Sequence, residues 1–289
     1  MKKSYLSILT IAFLLIVPFK VNALGNHDTI VNQNGVEMTL EEYTNLKKIH
    51  SDLYIDTMTQ DDFDQKMNLG IDFNNGQTVK KYYKSQHNYI TGETNSTEVS
   101  ELEYMQVGMN NNGDMPQATY IETGYKWIAL SLFKTSDNTA YATITEHWKS
   151  LPTVRSYDVI AMRFTNMSVI NGTQQGKQFY RINGTNNYIA YEFNGSNTNN
   201  QSNGFGISMN LLNTDVDELE CEADTSLIID DYVALTFASY QHAVQTVTLS
   251  ESMNYTLGSM GLGNVIHFLN TSTINKYDGM EGLYTYFTS

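Results

Sequence analysis

The sequence predicts a mainly β protein: an antiparallel β-sandwich, or a flattened barrel, with a small N-terminal helical pair. Three observations carry this expectation. From Tyr125 onward, short runs rich in β-branched and aromatic residues alternate with Asn-, Gly- and Ser-rich turn clusters. Nothing in that stretch has the strand–helix alternation of a parallel α/β sheet. Helical periodicity is confined to residues 35–70. The chain therefore divides into a leader (1–23), an N-terminal helical segment (24–75) and a β-sandwich domain (76–289).

The leader is read from Lys2 and Lys3, the apolar run Leu6 to Phe19, and Val21-Asn22-Ala23, which fits the small-x-small cleavage rule. The apolar run is too short for a membrane span, which needs about 20 residues. Export with cleavage near Ala23 is expected, giving a secreted protein without a stable membrane span. The C-terminal LYTYFTS has neither a hydrophobic tail nor a basic anchor, and no cysteine sits at the cleavage point, so free release is expected.

The helical pair follows from a short repeat, Met38-Thr-Leu-Glu-Glu-Tyr43 and Met58-Thr-Gln-Asp-Asp-Phe63. Thr39 with Glu42 forms a capping box and Thr59 with Asp62 a close variant, each flanked by a Met and an aromatic at hydrophobic-staple spacing. Helices are predicted at about 40–50 and 60–68, with a turn over Ser51 to Met58 and a stop at Gly70. So small a pair cannot stand alone and should pack on the β part or on a partner.

Residues 74–124 are polar, with strands expected at Val79 to Ser85 and Glu103 to Gly108 and an exposed loop over Gln106 to Gln117. Then YKWIALSLF and YATITEHW flank a turn cluster and read as a hairpin. YDVIAMRF, QFYRI, YIAYEF, FGISMNLL, ELECEADTSLII, VALTFAS, AVQTVTLS, NVIHFL and LYTYFT supply the remaining strands.

Composition narrows the function classes. Lys and Arg number 17 against 31 Asp and Glu, a net charge of −14 that becomes −17 once the three leader lysines are removed. Such an acidic chain repels phosphate backbones, so nucleic acid is not an expected partner. Cys221 is the only cysteine, which excludes an intramolecular disulfide and reads as a small buried strand hydrophobe. Asn-x-Ser/Thr tripeptides recur, but in a chain this rich in Asn, Ser and Thr they read as turns.

Trp148 to Phe164 is the most distinctive segment, gathering Trp148, Arg155, Asp158 and Arg163 in a protein with few arginines. These four are the candidate binding residues: a clamp for an anion or carboxylate, because guanidinium offers a planar fork of donors. The competing reading is an ion pair pinning a crossover between sheets. Trp148-Lys-x-x-Pro-x-Val-Arg-Ser-Tyr-Asp-Val-Ile160, with Asn34-Gly-Val-Glu-Met-Thr-Leu-Glu-Glu-Tyr43 and Tyr277-Asp-Gly-Met-Glu-Gly282, resembles exported proteins of low-GC Gram-positive bacteria that have no assigned activity. The resemblance implies origin and localisation and carries no catalytic residue.

Glu218, Glu220, Glu222 and Asp224 alternate with apolar residues and so share one strand face. Glu220, Glu222 and Asp224 are candidate calcium ligands if loop oxygens complete the shell; a solvated face on a charge-guarded edge strand is the favoured alternative. No other cofactor is implied. The six histidines show no paired metal spacing, and no nucleophile-elbow motif occurs.

The leading expectation is a secreted, non-enzymatic sandwich that binds a surface glycan, wall polymer or protein, for which the many tyrosines and asparagines are suited. The alternative is an extracellular hydrolase built on Glu146 and Asp158, with Arg155 or Arg163 orienting substrate. Third stands a secreted toxin or bacteriocin-like factor, suggested by the alternation in Gln245 to Ser250.

Overall fold

A computed structural model describes residues 29–107, 121–193, 195–213, 215–258, 264–280 and 282–288. The expected leader, and most of the loop expected over Gln106 to Gln117, lie outside the described residues.

The N-terminal segment opens with an antiparallel pair, β1 (Thr29–Val31) and β2 (Glu37–Thr39). Helices α1 (Leu40–Leu46), α2 (Asp52–Thr57) and α3 (Gln60–Asn68) follow. Both capping boxes form: Thr39 with Glu42, and Thr59 with Asp62. Met38, Met58, Tyr43 and Phe63 meet in one apolar cluster, as the staple spacing requires. The turn expected over Ser51 to Met58 is instead α2. Ser51 caps it, accepting the Tyr54 amide at 3.0 Å, and Leu53, Tyr54 and Ile55 are buried beneath it. Six residues carry too little periodicity to announce a helix; burial of one face fixes it.

The larger sheet contains β3 (Gly76–Asn88), β4 (Thr94–Val99), β5 (Ile121–Ser136), β6 (Thr139–Trp148), β8 (Met167–Val169), β9 (Gln175–Ile182), β10 (Tyr188–Phe193) and β13 (Val216–Ile229). Its order is β10-β9-β13-β6-β5-β3-β4, with β8 paired to β13. The smaller sheet runs β11 (Thr198–Gln201), β12 (Gly204–Asn210), β7 (Tyr157–Thr165), β14 (Val233–Gln241) and β17 (Leu283–Thr288). Every strand pair within both sheets is antiparallel. The fold is a multi-sheet sandwich and not a closed barrel.

The main core lies between the sheets. It takes Ile128, Leu130 and Leu132 from β5, Ala140, Ala142 and Ile144 from β6, and Ile160, Met162 and Phe164 from β7. Gly176 lets the layers close on each other, since a Cβ there would lie 2.5 Å from Ile207. The outer face of the larger sheet carries α2 and α3, which pack Tyr54 edge-on against Phe179 at 5.2 Å. On the outer face of the smaller sheet, β15 (Tyr255–Leu257) and β16 (Ile266–Phe268) form a ribbon over Val159, Ala161 and Phe237.

Two expected strands are absent. Glu103 to Gly108 was predicted extended, but Glu101–Gln106 is helix α4, capped by Ser100 and held by Tyr104 against Tyr82 at 4.9 Å. Ala243 to Ser250 is an irregular segment entering helix α5 (Leu249–Ser252). The Val247 amide bonds to the Ser156 hydroxyl at 2.9 Å, so a side chain replaces a strand neighbour. Gln245 to Ser250 therefore supplies no hairpin strand. No helix among the described residues is long and apolar enough to cross a membrane.

Candidate functional site

A cleft of about 520 Å³ opens at the β10 edge of the sandwich. Strand register builds one wall. Tyr191 stands opposite Gln178 and Phe193 opposite Gly176, which puts Tyr191, Phe193, Gln178 and Tyr180 on one face of the sheet. Tyr191 is 56% exposed and packs edge-on with Phe193, their rings 5.1 Å apart. The other wall comes from Arg155 and Tyr157 at the start of β7, and from Asn210 to Asn213 after β12.

Partly buried hydrogen bonds hold that second wall. Arg155 Nη1 donates to the Leu212 carbonyl at 3.0 Å and its Nε to the Pro152 carbonyl at 3.4 Å. The Gln178 Oε1 accepts the Leu212 amide at 3.1 Å. The lining combines aromatic faces, Asn and Gln amides and one guanidinium; no Asp, Glu or His takes part among the described residues. This is a surface for ring stacking and for hydrogen bonding through amides and one guanidinium.

Of the four residues singled out in the Trp148 segment, only Arg155 lines this cleft. Arg163 lies on the outer face of β7, where turning the Asn203 amide so that its oxygen faces the guanidinium lets it accept from Nε and Nη2 at 2.9 and 3.1 Å. Trp148 and Asp158 are buried between the sheets, in a polar cluster at one end of the main core. Asp158 does not pair with Arg155 to make a clamp. Its Oδ2 accepts from the Tyr240 hydroxyl and lies 2.8 Å from His242 Nδ1, while its Oδ1 accepts the Ala243 amide at 2.8 Å. Trp148 Nε1 donates to the same Tyr240 hydroxyl at 3.2 Å.

Glu146 belongs to this cluster. It is fully buried, and among the described residues neither carboxyl oxygen has a hydrogen-bond partner. Burial, opposed by Lys126 and reinforced by Asp158, Glu220 and Asp278, pushes its pKa well above the usual carboxylate value. Burial and then Asp158 likewise raise the Tyr240 phenol far above its ordinary value, keeping it a donor. Glu146 and Asp158 do approach from facing sheets, but both are 0% exposed. A hydrolase presents such a pair to its substrate, and here both carboxyls are buried.

The alternating carboxylates of β13 do share a face, but that face is neither at an edge nor solvated. β13 is a central strand between β9 and β6, and the N-terminal helices cover it. Glu222 lies 2.6 Å from His50 Nδ1 and accepts the Thr145 hydroxyl at 2.9 Å. Glu220 accepts from the Ser51 hydroxyl and lies 3.3 Å from His147 Nδ1. Lys66 pairs with Asp224 at 3.2 Å and donates to the Tyr141 hydroxyl at 2.6 Å. The carboxylate oxygens proposed as calcium ligands thus serve the helix–sheet junction. Among the described residues, no group of three or more His, Cys, Asp and Glu is arranged to hold a metal. Cys221 points the other way, into the core, where burial drives its thiol pKa well up.

Sequence reasoning did not single out Lys126, Tyr240, His242 or Asp278. One signal was available: Lys126 has the same strand parity as Ile128, Leu130 and Leu132, so period two already points it inward.

No protein-family model matches the chain, and no curated protein is significantly similar. Three solved structures show partial likeness. The pilus backbone protein RrgB of Streptococcus pneumoniae matches at 10% identity and TM-score 0.27, covering 37% of this chain and 41% of that one. The collagen-binding domain of a Staphylococcus aureus adhesin matches at 4% identity and TM-score 0.30, covering 53% and 89%. The enzymatically active domain of bacteriophage CBA120 tailspike protein 4 matches at 12% identity and TM-score 0.20, covering 57% and 19%. The match thus spans less than half of the pilus backbone protein's length. At these scores the likenesses say nothing of what this chain binds.

Proposed function

We propose that this chain is an exported, non-enzymatic binding protein that takes a glycan or wall polysaccharide in the cleft beside β10. The observation that carries the reading is the lining itself. Tyr191, Phe193 and Tyr180 present ring faces and edges for sugar C–H surfaces, while Asn210 and Asn213 offer amides to hydroxyls. Arg155, fixed at the cleft wall, would take a carboxylate or another acidic substituent on the polymer. The export expected from the leader and the strongly acidic surface both suit a protein working outside the cell.

Binding to a glycan array and to purified wall polysaccharide tests this, followed by titration of the best ligand. Tyr191→Ala is expected to weaken binding roughly tenfold, the equivalent of about 1.4 kcal/mol. Stability should hardly move, because the side chain is mostly exposed. No binding to either material, or undiminished binding by Tyr191→Ala, overturns the assignment of the cleft.

A further inference from the structure

Lys126 is fully buried on β5, its Nζ 4.6 Å from the Trp148 ring and 5.1 Å from the Tyr240 ring. Among the described residues it touches one carboxylate, that of Asp278, on the segment before β17. Asp278 is held at both oxygens. Its Oδ1 accepts the His242 amide at 3.0 Å, and its Oδ2 faces Lys126 Nζ with the Ser85 hydroxyl at 3.4 Å. Glu146 stands diagonally across from Lys126 on the same sheet face, because Lys126 opposes Trp148 and Ile128 opposes Glu146. An amine, a carboxyl carbon and an unpartnered carboxylic acid thus meet in a water-excluded core.

We propose that Lys126 Nζ and Asp278 Cγ are joined by an intramolecular amide bond, which the folded chain forms on itself with Glu146 as the proton-transfer group. The inference is independent of the cleft. In the first step the Lys126 ammonium passes a proton to the Asp278 carboxylate, leaving a neutral amine and a neutral acid; in a dry site this removes two buried charges. The amine nitrogen attacks Cγ, and the new N–C bond produces a tetrahedral carbon. Its Oδ1 stays bonded to the His242 amide, which stabilises the charge developing there. Glu146 gives its proton to the departing Oδ2 and takes one from the nitrogen, ending as the acid it began. The Cγ–Oδ2 bond breaks and one water leaves. Ammonium plus carboxylate gives amide plus water, with no oxidant, reductant or cofactor.

Three features of the site suit this role. Burial pushes the Glu146 pKa well up, which favours the acid form, and among the described residues its oxygens have no hydrogen-bond partner. Contact holds the reacting atoms at near-attack range. Exclusion of bulk water protects the product from hydrolysis, and a small cavity lined by Ser85, Trp148 and His242 beside the cluster takes up the released water. The bond would tie the larger sheet to the segment entering the smaller one, closing a loop between positions 152 apart. With one cysteine, the chain has no intramolecular disulfide to do this.

Mass spectrometry of the denatured full chain tests the proposal at both intact and peptide level. The expected result is a loss of one water, with a branched peptide joining the Lys126 and Asp278 segments and no tryptic cleavage after Lys126. Lys126→Arg should show neither. Asp278→Asn should yield the same branched peptide, with ammonia as the leaving group. Glu146→Gln should fold by circular dichroism yet keep the unlinked mass. A folded wild-type protein of full mass with no branched peptide overturns the bond. So does a water loss confined to a linear peptide, which marks a succinimide at Asp278-Gly279. Linkage of Glu146→Gln at the wild-type extent overturns the role of Glu146.

Discussion

The two faces of β6 bury carboxyl groups in opposite ways. On the face under the helices, each carboxylate from neighbouring β13 meets partners: Glu220 has Ser51 and His147, Glu222 has His50 and Thr145, and Asp224 has Lys66. On the inter-sheet face, Asp158 and Asp278 are well bonded, while Glu146, beside them, has no hydrogen-bond partner among the described residues. Satisfied carboxylates fasten one layer to another. An orphaned one in a similarly dry environment is pushed toward its protonated form, and that is a state with chemical use.

The comparison can be broken at several points. The largest effect should come from Lys66→Ala on the helix side, which strands Asp224 in the interior; a loss of about 3–5 kcal/mol is expected in urea unfolding. Tyr240→Phe acts on the inter-sheet side. It removes a donor from Asp158 and the acceptor of Trp148 Nε1 and should cost about 1–3 kcal/mol. If Tyr240→Phe proves costlier than Lys66→Ala, the inter-sheet cluster is the tighter of the two. Thr59→Ala opens the capping box of α3, leaving the sheet intact, and should cost about 1 kcal/mol.

The smallest change is a slope. Burial, only partly countered by His147 and Ser51, raises the pKa of Glu220 in the folded state. The folded chain then holds its proton at pH values where the unfolded chain, near pKa 4.3, has released it. This contribution to stability falls as pH rises from the unfolded value through the folded one, and is flat above. Glu220→Gln should remove that decline when unfolding is followed from pH 4 to 7, and an unchanged slope would assign it to other groups.

Much of the fold was legible in particular residues. Thr39 with Glu42 and Thr59 with Asp62 announced two helix starts, because capping is a local bargain between a side chain and nearby amides. The hairpin of β5 and β6 followed from two β-rich runs around a turn cluster. Helices α2 and α4 were not legible, since six residues hold too few repeats of a helical period. The site was legible only in pieces. Trp148 and Asp158 were singled out, but their partners Tyr240 and His242 lie more than 80 positions away. Tyr191 and Phe193 looked like any alternating strand, because nothing local tells an edge overhanging a cleft from one packed against a neighbour.

By itself, then, the sequence determined the β class, the capped helices, the single cysteine and the parity that turns Glu220, Glu222 and Asp224 to one side of their strand. Those properties follow from short-range sterics and hydrogen bonding. Only the tertiary structure decided what lay opposite. It placed helices and not water over the β13 carboxylates, opened a cleft beside Tyr191, and set Lys126 against Asp278 with Glu146 beside them. Strand order and sheet stacking join residues far apart along the chain, and whether a charge is paired, exposed or orphaned depends on those neighbours.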